Sequence, residues 1–388
     1  MVQITGKTIY VLGAGASHHT GAPLLRDFLV NARLLLEVNE SLVYKKSFEN
    51  VFKWIDGLRG SSYYVELDLD NLEHVFSIAE MMNQLDLKDG TILADQLRQI
   101  ILETLDKCRL EYRNKNILPD NVYKKFSENL KDLNKKRMQL TKQAFGSFEN
   151  DTIITFNYDV MLDYAMRYNS IEVDYCINTT PLPDRFRMLK LHGSTNWAYC
   201  PPCFPSMSPN VQVQLVPASP ISKGQMLPPL LEDGEKISFK MSTEILKHTK
   251  CNQCQKTSLI PLIIPPTWSK AVGNLPIFKV WKQAIEEIKT ASQIIVIGYS
   301  MPQTDTFFQY LLALGLAENP RFHRVVVVNF DDSEVFKERY RKVFSRSLMD
   351  RGRLKFLTGI SFQEFVHDPK GIGIGMNVIG SSLDWDCD

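Results

Sequence analysis

The stretch TIYVLGAGASHHTGAPLLR, from Thr8 to Arg26, decides how the rest of the chain is read. Four residues with strand preference, Thr8, Ile9, Tyr10 and Val11, run into Gly13-Ala14-Gly15-Ala16-Ser17, and a helix-forming run begins at Leu24. Strand, glycine turn and helix start in that order make a place for a phosphate. Glycines let the backbone turn tightly and approach a pyrophosphate, and amides at the helix N-terminus meet its charge. The spacing departs from G-x-G-x-x-G, and no acidic residue ends a second strand about 20 residues on. A tight turn with no ligand is the competing reading, and the motifs further along the chain bear on which holds.

The chain has 388 residues, 44% of them hydrophobic, which suits a soluble protein of two or three domains with a full core. Its net charge of +1 leaves no electrostatic footprint for nucleic acid, so no direct nucleic-acid partner is expected. The opening MVQITGKTIY has no secretion-signal pattern. The apolar runs IIVIG (294–298) and VVVV (325–328) are too short to cross a membrane and fit buried parallel strands. Seven cysteines without a signal segment point to a reducing cytoplasm, with thiols or metal rather than disulfides.

Beyond the opening turn, LEHVFSIAEMM (72–82) and ILADQLRQIILETLDKCRL (92–110) have helical spacing, and strand signals nearly vanish up to residue 150. This reads as a helical insertion between the first and second core strands. Glu73 and His74 read as surface or capping residues there, although Asn71 or Glu73 would reach a ligand if the helix packs over the turn. The strand DTIITF then runs into Asn157-Tyr158-Asp159, and MLKLHGSTNW (188–197) delivers His192 onto Gly193. Polar residues at the ends of core strands are where open α/β sheets place ligands, and a strand-end histidine suits a general base. Asp159 reads equally as a helix cap. Further on, one buried strand ends in Gly298-Tyr299-Ser300, followed by a helix from about Asp305, and another ends at Asn329. Both ends suit the adenosine half of a nucleotide.

Cys200-Pro-Pro-Cys203 and Cys251-Asn-Gln-Cys254 form two C-x-x-C pairs, a zinc signal because each knuckle offers two thiolates to one side of a tetrahedral ion. Four thiolates close the coordination shell, so this zinc is expected to hold the fold and not to perform catalysis. A redox dithiol is the other reading. The Pro-rich segment between the pairs reads as a loop bulging from the module.

The order of these pieces resembles the sirtuin family, NAD-consuming enzymes with a Rossmann-like core, a helical module and a zinc ribbon. Gly13-Ala14-Gly15-Ala16-Ser17, then Thr20-Gly21-Ala22-Pro23 and Arg26, match the opening G-A-G-x-S-x-x-S/T-G-x-P-x-x-R; Thr155-Phe156-Asn157-Tyr158-Asp159 matches T-Q-N-x-D; and Leu191-His192-Gly193 matches the histidine-glycine pair. The cysteine pairs, Gly298-Tyr299-Ser300 and Asn329 follow in the family's order. Leu24-Leu25 stand where sirtuins carry Asp-Phe, Phe156 replaces the glutamine, and sirtuin deacylases lack the long insertion. In LHGSTNW, TFNYD and IGYSMP the chain looks instead like the sirtuin-like NAD hydrolases of bacterial anti-phage defence, some of which work with a HerA-type hexameric ATPase.

The resemblance implies an α/β fold with a Rossmann-like parallel sheet core in three parts (1–35, 151–199, 258–360), a helical insertion (36–150), a zinc-ribbon module (200–257) and a C-terminal tail (361–388). It implies Asn157 and His192 as catalytic residues, Tyr158 and Asp159 as a clamp on the carboxamide of NAD, and Gly13, Ala14, Gly15, Ser17, Pro23 and Arg26 on the pyrophosphate side. Gly298, Ser300 and Asn329 would face the adenosine. NAD is then the substrate and zinc a structural ion; because an unrestrained NAD hydrolase would kill its own cell, the chain alone is expected to be weakly active and to gain activity in a homo-oligomer or with a partner such as a HerA-type ATPase. Protein-lysine deacylation and nonenzymatic NAD or ADP-ribose sensing are the two rivals.

Overall fold

The computed structural model describes residues 6–38, 41–61, 65–108, 119–141, 151–177, 181–182, 185–200, 202–203, 214–215, 243, 246, 248–256, 259–264, 275–302 and 305–367. Most of the Pro-rich segment between the cysteine pairs, and the tail glycines from Gly371 onward, lie outside the described residues.

Seven strands form one parallel sheet: β1 (Lys7–Leu12), β2 (Thr152–Thr155), β3 (Val173–Asp174), β4 (Phe186–Lys190), β8 (Ala291–Ile297), β9 (Arg324–Asn329) and β10 (Leu354–Thr358), in the order β10-β9-β8-β1-β2-β4-β3. A second, antiparallel sheet orders β6 (Gln214–Leu215), β5 (Gly193–Tyr199) and β7 (Ile260–Ile263). Every residue of β1 is buried, as a strand covered on both faces must be. Ile9 and Val11 face one layer, containing α7 (Leu275–Thr290), α8 (Thr306–Ala317) and α9 (Glu334–Val343). Tyr10 and Leu12 face the other, containing α5 (Asn121–Thr141), α6 (Met161–Tyr168) and α10 (Phe362–His367).

Helices α1 (Phe28–Val38), α2 (Lys45–Ser61), α3 (Leu72–Gln84) and α4 (Gly90–Cys108) make their own core around Phe48, Phe52, Phe76 and Ile101, and it reaches Ile263 of β7. The last helix between β1 and β2 differs. In α5 the apolar positions Val122, Tyr123, Phe126, Leu130 and Leu133 cover the main sheet instead. The spacing at 121–141 specifies a helix with one apolar stripe, but a stripe does not say which surface it meets. Likewise Phe362, Phe365 and Val366 form a helical turn docked on α5, within the stretch 361–388 expected to be a C-terminal tail.

At the N-terminal edge of the sheet, Glu287 of α7 takes the Lys7 ammonium, the Thr152 hydroxyl at 2.7 Å and the Arg187 guanidinium at 3.2 Å, tying β1, β2 and β4 to one carboxylate. Burial pushes this carboxyl up, but Lys7 and Arg187 outweigh it and hold it below its usual range. A depressed folded pKa stabilises the fold above the unfolded value of about 4.3, and the stabilisation is lost as pH falls through the folded value. Glu287→Ala leaves Lys7 buried at 3% exposure without its counter-charge, an expected loss of about 3–5 kcal/mol. Urea denaturation at pH 7 and at low pH checks it. The difference between wild type and variant is large at neutral pH and shrinks on acidification.

Candidate active site

The strand order reverses at β1: later strands add outward through β2 on one side and through β8 on the other. The crevice beyond the carboxyl ends of the strands at such a reversal is the usual ligand position of an open α/β sheet. Gly13, Asn157, His192, Gly298 and Asn329 all stand at or just beyond those ends.

The glycine turn is locked by backbone bonds. Amides of Gly13 and Gly15 donate to the carbonyls of Ile297 and Gly298, both at 2.9 Å, and those of Ala16 and Ser17 donate within the turn at 2.9 and 3.0 Å. The glycines serve a close approach between two loops. A Cβ on Gly13 would lie 2.5 Å from Tyr299 Cα, and one on Gly298 (φ +61) would lie 2.3 Å from Ala16 N. No α-helix starts at Leu24. The chain makes 3-10 turns at Ala14–Ala16, His18–Thr20 and Leu25–Asp27, interrupted by Gly21 at φ +90, and turns α-helical only at Phe28.

Ser17 is the hub of the polar network. Its hydroxyl donates to Asp159 Oδ2 at 2.7 Å, receives the Asn157 amide at 2.9 Å, and pairs with Tyr123 OH at 2.7 Å. A hydroxyl has one proton, so Tyr123 donates in the last of these. Burial, then the Asp159 charge, push the Tyr123 phenol well up and keep that proton in place. Asn157 Nδ2 also donates to Gly13 O at 2.9 Å. Both amide protons are thereby fixed, since a carbonyl can only accept, and Oδ1 is the one polar atom of the amide with no protein partner among the described residues. Asp159 Oδ1 receives the Met161 amide at 3.0 Å as α6 begins, and its Oδ2 takes Ser17. Lys190 supports the loop from beneath, donating to Asp159 O at 2.7 Å and pairing with Asp163 at 3.0 Å.

His192 lies where the chain leaves the parallel sheet for the antiparallel one. The next residue, Gly193, has φ +85, and a Cβ there would sit 2.0 Å from Leu262 O, so only glycine makes this bend. The imidazole is 4% exposed. It meets Phe156 edge-on at 5.1 Å, Tyr158 lies 6.1 Å away, and Phe156 stacks on Tyr299 at 4.3 Å. Phe156, where the family pattern has glutamine, is thus part of an aromatic wall. His192 Nε2 is 3.7 Å from Asp305 Oδ2, which accepts the Tyr299 hydroxyl at 2.8 Å.

The structure brings Gly13, Ser17, Asn157 and Asp159 into one bonded cluster, with Ala14 and Gly15 in the same turn, His192 against Phe156, and Gly298 against the turn. Tyr158 donates its hydroxyl to Ile264 O at 3.0 Å, and its carbonyl takes the Thr195 amide at 2.8 Å. Asn329 Nδ2 donates to Tyr299 O at 3.3 Å. Ser300 is exposed and Pro23 half-buried. Arg26 is 80% exposed and pairs with neighbouring Asp27 at 3.3 Å. Sequence reasoning missed Tyr123, Tyr299 and Asp305 as site side chains. Glu73 is buried, not at the surface, and its charge acts on Tyr158 and Tyr299, while Asn71 caps α3 by accepting the Glu73 amide at 2.9 Å. Cavities of about 610 Å³ by Arg59 and His74, and about 690 Å³ by Phe330 and His367, lie outside this cluster. Converging hydrogen bonds, not cavity size, locate the candidate site.

The cysteine cluster is a separate centre. Cys200, Cys203, Cys251 and Cys254 place their sulfurs within 4.8 Å of one another, with Cys200–Cys254 at 3.6 Å and Cys203–Cys251 at 3.8 Å. Tetrahedral zinc with bonds of about 2.3 Å requires sulfurs about 3.8 Å apart. The donor set fits zinc.

No family model matches the chain, and no curated protein matches it. Solved structures of Sir2 proteins are among those the chain is similar to. One is a Sir2 homologue mutant in complex with ADP-ribose, 16% identical, covering 93% of this chain and 88% of that one at a TM-score of 0.39. Another is a Sir2 homolog–NAD complex, 14% identical, covering 93% and 86% at 0.39. A third is Sir2 with an inhibitor, 2'-O-acetyl-ADP-ribose and a deacetylated peptide, 14% identical, covering 93% and 90% at 0.38.

Proposed function

We propose that the chain is an NAD+ hydrolase that releases nicotinamide and ADP-ribose, with Asn157 and His192 as its catalytic residues. The observation that carries the reading is the Asn157 amide, whose two protons are held by Gly13 O and Ser17 Oγ at the sheet's reversal point. An acceptor fixed in this way orients a water molecule without reorganising. The bond between the nicotinamide nitrogen and ribose C1′ breaks with its electron pair going to the ring, so nicotinamide leaves neutral. The ribose becomes oxocarbenium-like, as in glycoside hydrolysis. Water, hydrogen-bonded to Asn157 Oδ1, adds to C1′ and gives its proton to His192, which passes it to solvent; the sum is NAD+ plus water to ADP-ribose, nicotinamide and H+.

In this reading Asp159 and Tyr158 hold the carboxamide, and Gly298, Ser300 and Asn329 the adenosine. On the pyrophosphate side, the amides of Gly13, Gly15, Ala16 and Ser17 already have carbonyl partners, so the contact falls to Ala14 N–H, helped by Arg26. Zinc on the four cysteines supplies structure alone, because the shell is closed. NAD depletion of this kind suits an anti-phage effector in the bacterial cytoplasm, weakly active alone and activated by self-association or by a HerA-type ATPase.

The test is incubation with NAD, with and without an acyl-peptide, followed by chromatography. Equal amounts of nicotinamide and ADP-ribose without peptide are expected, increasing when the chain is concentrated or the partner added. Peptide-dependent acyl-ADP-ribose would make it a deacylase, and tight NAD binding with no product under any of these conditions a sensor.

A further inference from the structure

Asp305 stands at the N-cap of α8, where an aspartate ordinarily accepts an amide from the first helical turn. Its side chain makes no capping bond. It is 1% exposed, and a carboxylate so far from water stays charged only if other groups hold it. The same oxygen, Oδ2, takes the Tyr299 hydroxyl at 2.8 Å and faces His192 Nε2 at 3.7 Å. The carboxylate has turned from its helix toward the imidazole.

We propose that Asp305 is the positioning residue of His192: its carboxylate holds the proton of that imidazole on Nε2, makes Nδ1 the basic nitrogen, and stabilises the ring once it has accepted a second proton. The inference rests on the reading of His192 as the base. A distance of 3.7 Å is beyond a hydrogen bond and within ion-pair range, so the contact strengthens when the ring becomes cationic. Tyr299 sets the strength of the carboxylate, since its donated proton spreads the negative charge. The other groups round the ring are consistent with this assignment. Tyr158 and Tyr299 are pushed up by burial and stay neutral, while Glu73 of α3 and Arg98 of α4 act on Tyr158 with opposite signs. Asp305 Oδ2 lies at ion-pair distance from His192 Nε2.

The experiment is an NMR titration of the His192 ring in the full chain, assigned by loss of its signal in His192→Gln, together with NAD turnover and NAD binding. In Asp305→Asn the titration midpoint is expected to fall by about one pH unit or more, because an adjacent opposite charge has been removed. In Tyr299→Phe, where the carboxylate is less neutralised, the midpoint is expected to rise. Turnover in Asp305→Asn should drop about 10²-fold or more with NAD binding nearly unchanged, and the acidic limb of its pH profile should move down with the midpoint. A midpoint in Asp305→Asn equal to that of wild type overturns the proposal. If that variant does not fold, an unchanged midpoint in Tyr299→Phe overturns it instead. Should wild type bind NAD and release no nicotinamide, the hydrolase reading fails while the titration still decides the role of Asp305.

Discussion

Nicotinamide release is expected to fall by about 10²- to 10⁴-fold when His192 is replaced by glutamine, and by about 10²- to 10³-fold when Asn157 is replaced by alanine. The two losses have different origins. Glutamine keeps a polar side chain near the ring's place but cannot take a proton at neutral pH, so His192→Gln removes the base. Asn157→Ala removes the acceptor that orients water, and it also strips a donor from Gly13 O and from Ser17 Oγ. Leaving those partners short costs about 1–3 kcal/mol, which a thermal melt reads separately from turnover. Ser17→Ala separates the parts further: Asn157 keeps its bond to Gly13 while the links to Asp159 and Tyr123 vanish, and an intermediate loss is expected. Full turnover in folded Asn157→Ala or His192→Gln protein would remove the assignment.

How much of this was legible beforehand depends on the range of the interaction. Buried parallel strands are apolar on both faces, so VVVV at 325–328 and IIVIG at 294–298 announce themselves, and with them the strand ends where Gly298 and Asn329 lie. The C-x-x-C pairs are equally local, and their sulfurs do meet. The glycine turn was legible as a strand-to-loop junction, but its glycines turn out to fit the Gly298 loop, a partner far along the chain. Tyr123 reaches Ser17 from a helix whose own pattern records only an apolar stripe. Asp305 was hidden by its position, because an aspartate before a helix is ordinarily a cap and nothing in neighbouring residues shows it turning inward. Arg26 matches a motif by spacing, but that spacing does not show its surface position beside Asp27.

Removing the metal from the four-cysteine centre is expected to cost the protein both stability and turnover, although the four cysteines form a centre separate from the candidate site. Cys200 directly follows β5, the strand that begins at Gly193 beside His192. Among the described residues Leu102, Ala198, Leu246 and Leu259 pack around Cys200 and Cys251, with Tyr44 against them, and an ion shared by the two knuckles cross-links them. Structural zinc contributes apparent binding energies of about 10–16 kcal/mol in small domains, and without it such domains unfold. Loss of the ion therefore frees the outer end of β5, and the Ile264 amide bond to His192 O at 2.8 Å is the contact through which that loosening reaches the imidazole. Elemental analysis is expected to find one zinc per chain in wild type and none in Cys251→Ser/Cys254→Ser, whose melting temperature falls by more than 10 °C, on the order expected for a loss of several kcal/mol. A strong chelator should reproduce the fall in turnover, and added zinc should reverse it for wild type but not for the double variant. A metal-free chain that melts at the wild-type temperature would show that the four thiols do not need an ion, and reversible disulfide formation between Cys200 and Cys254 would then be the chemistry to test.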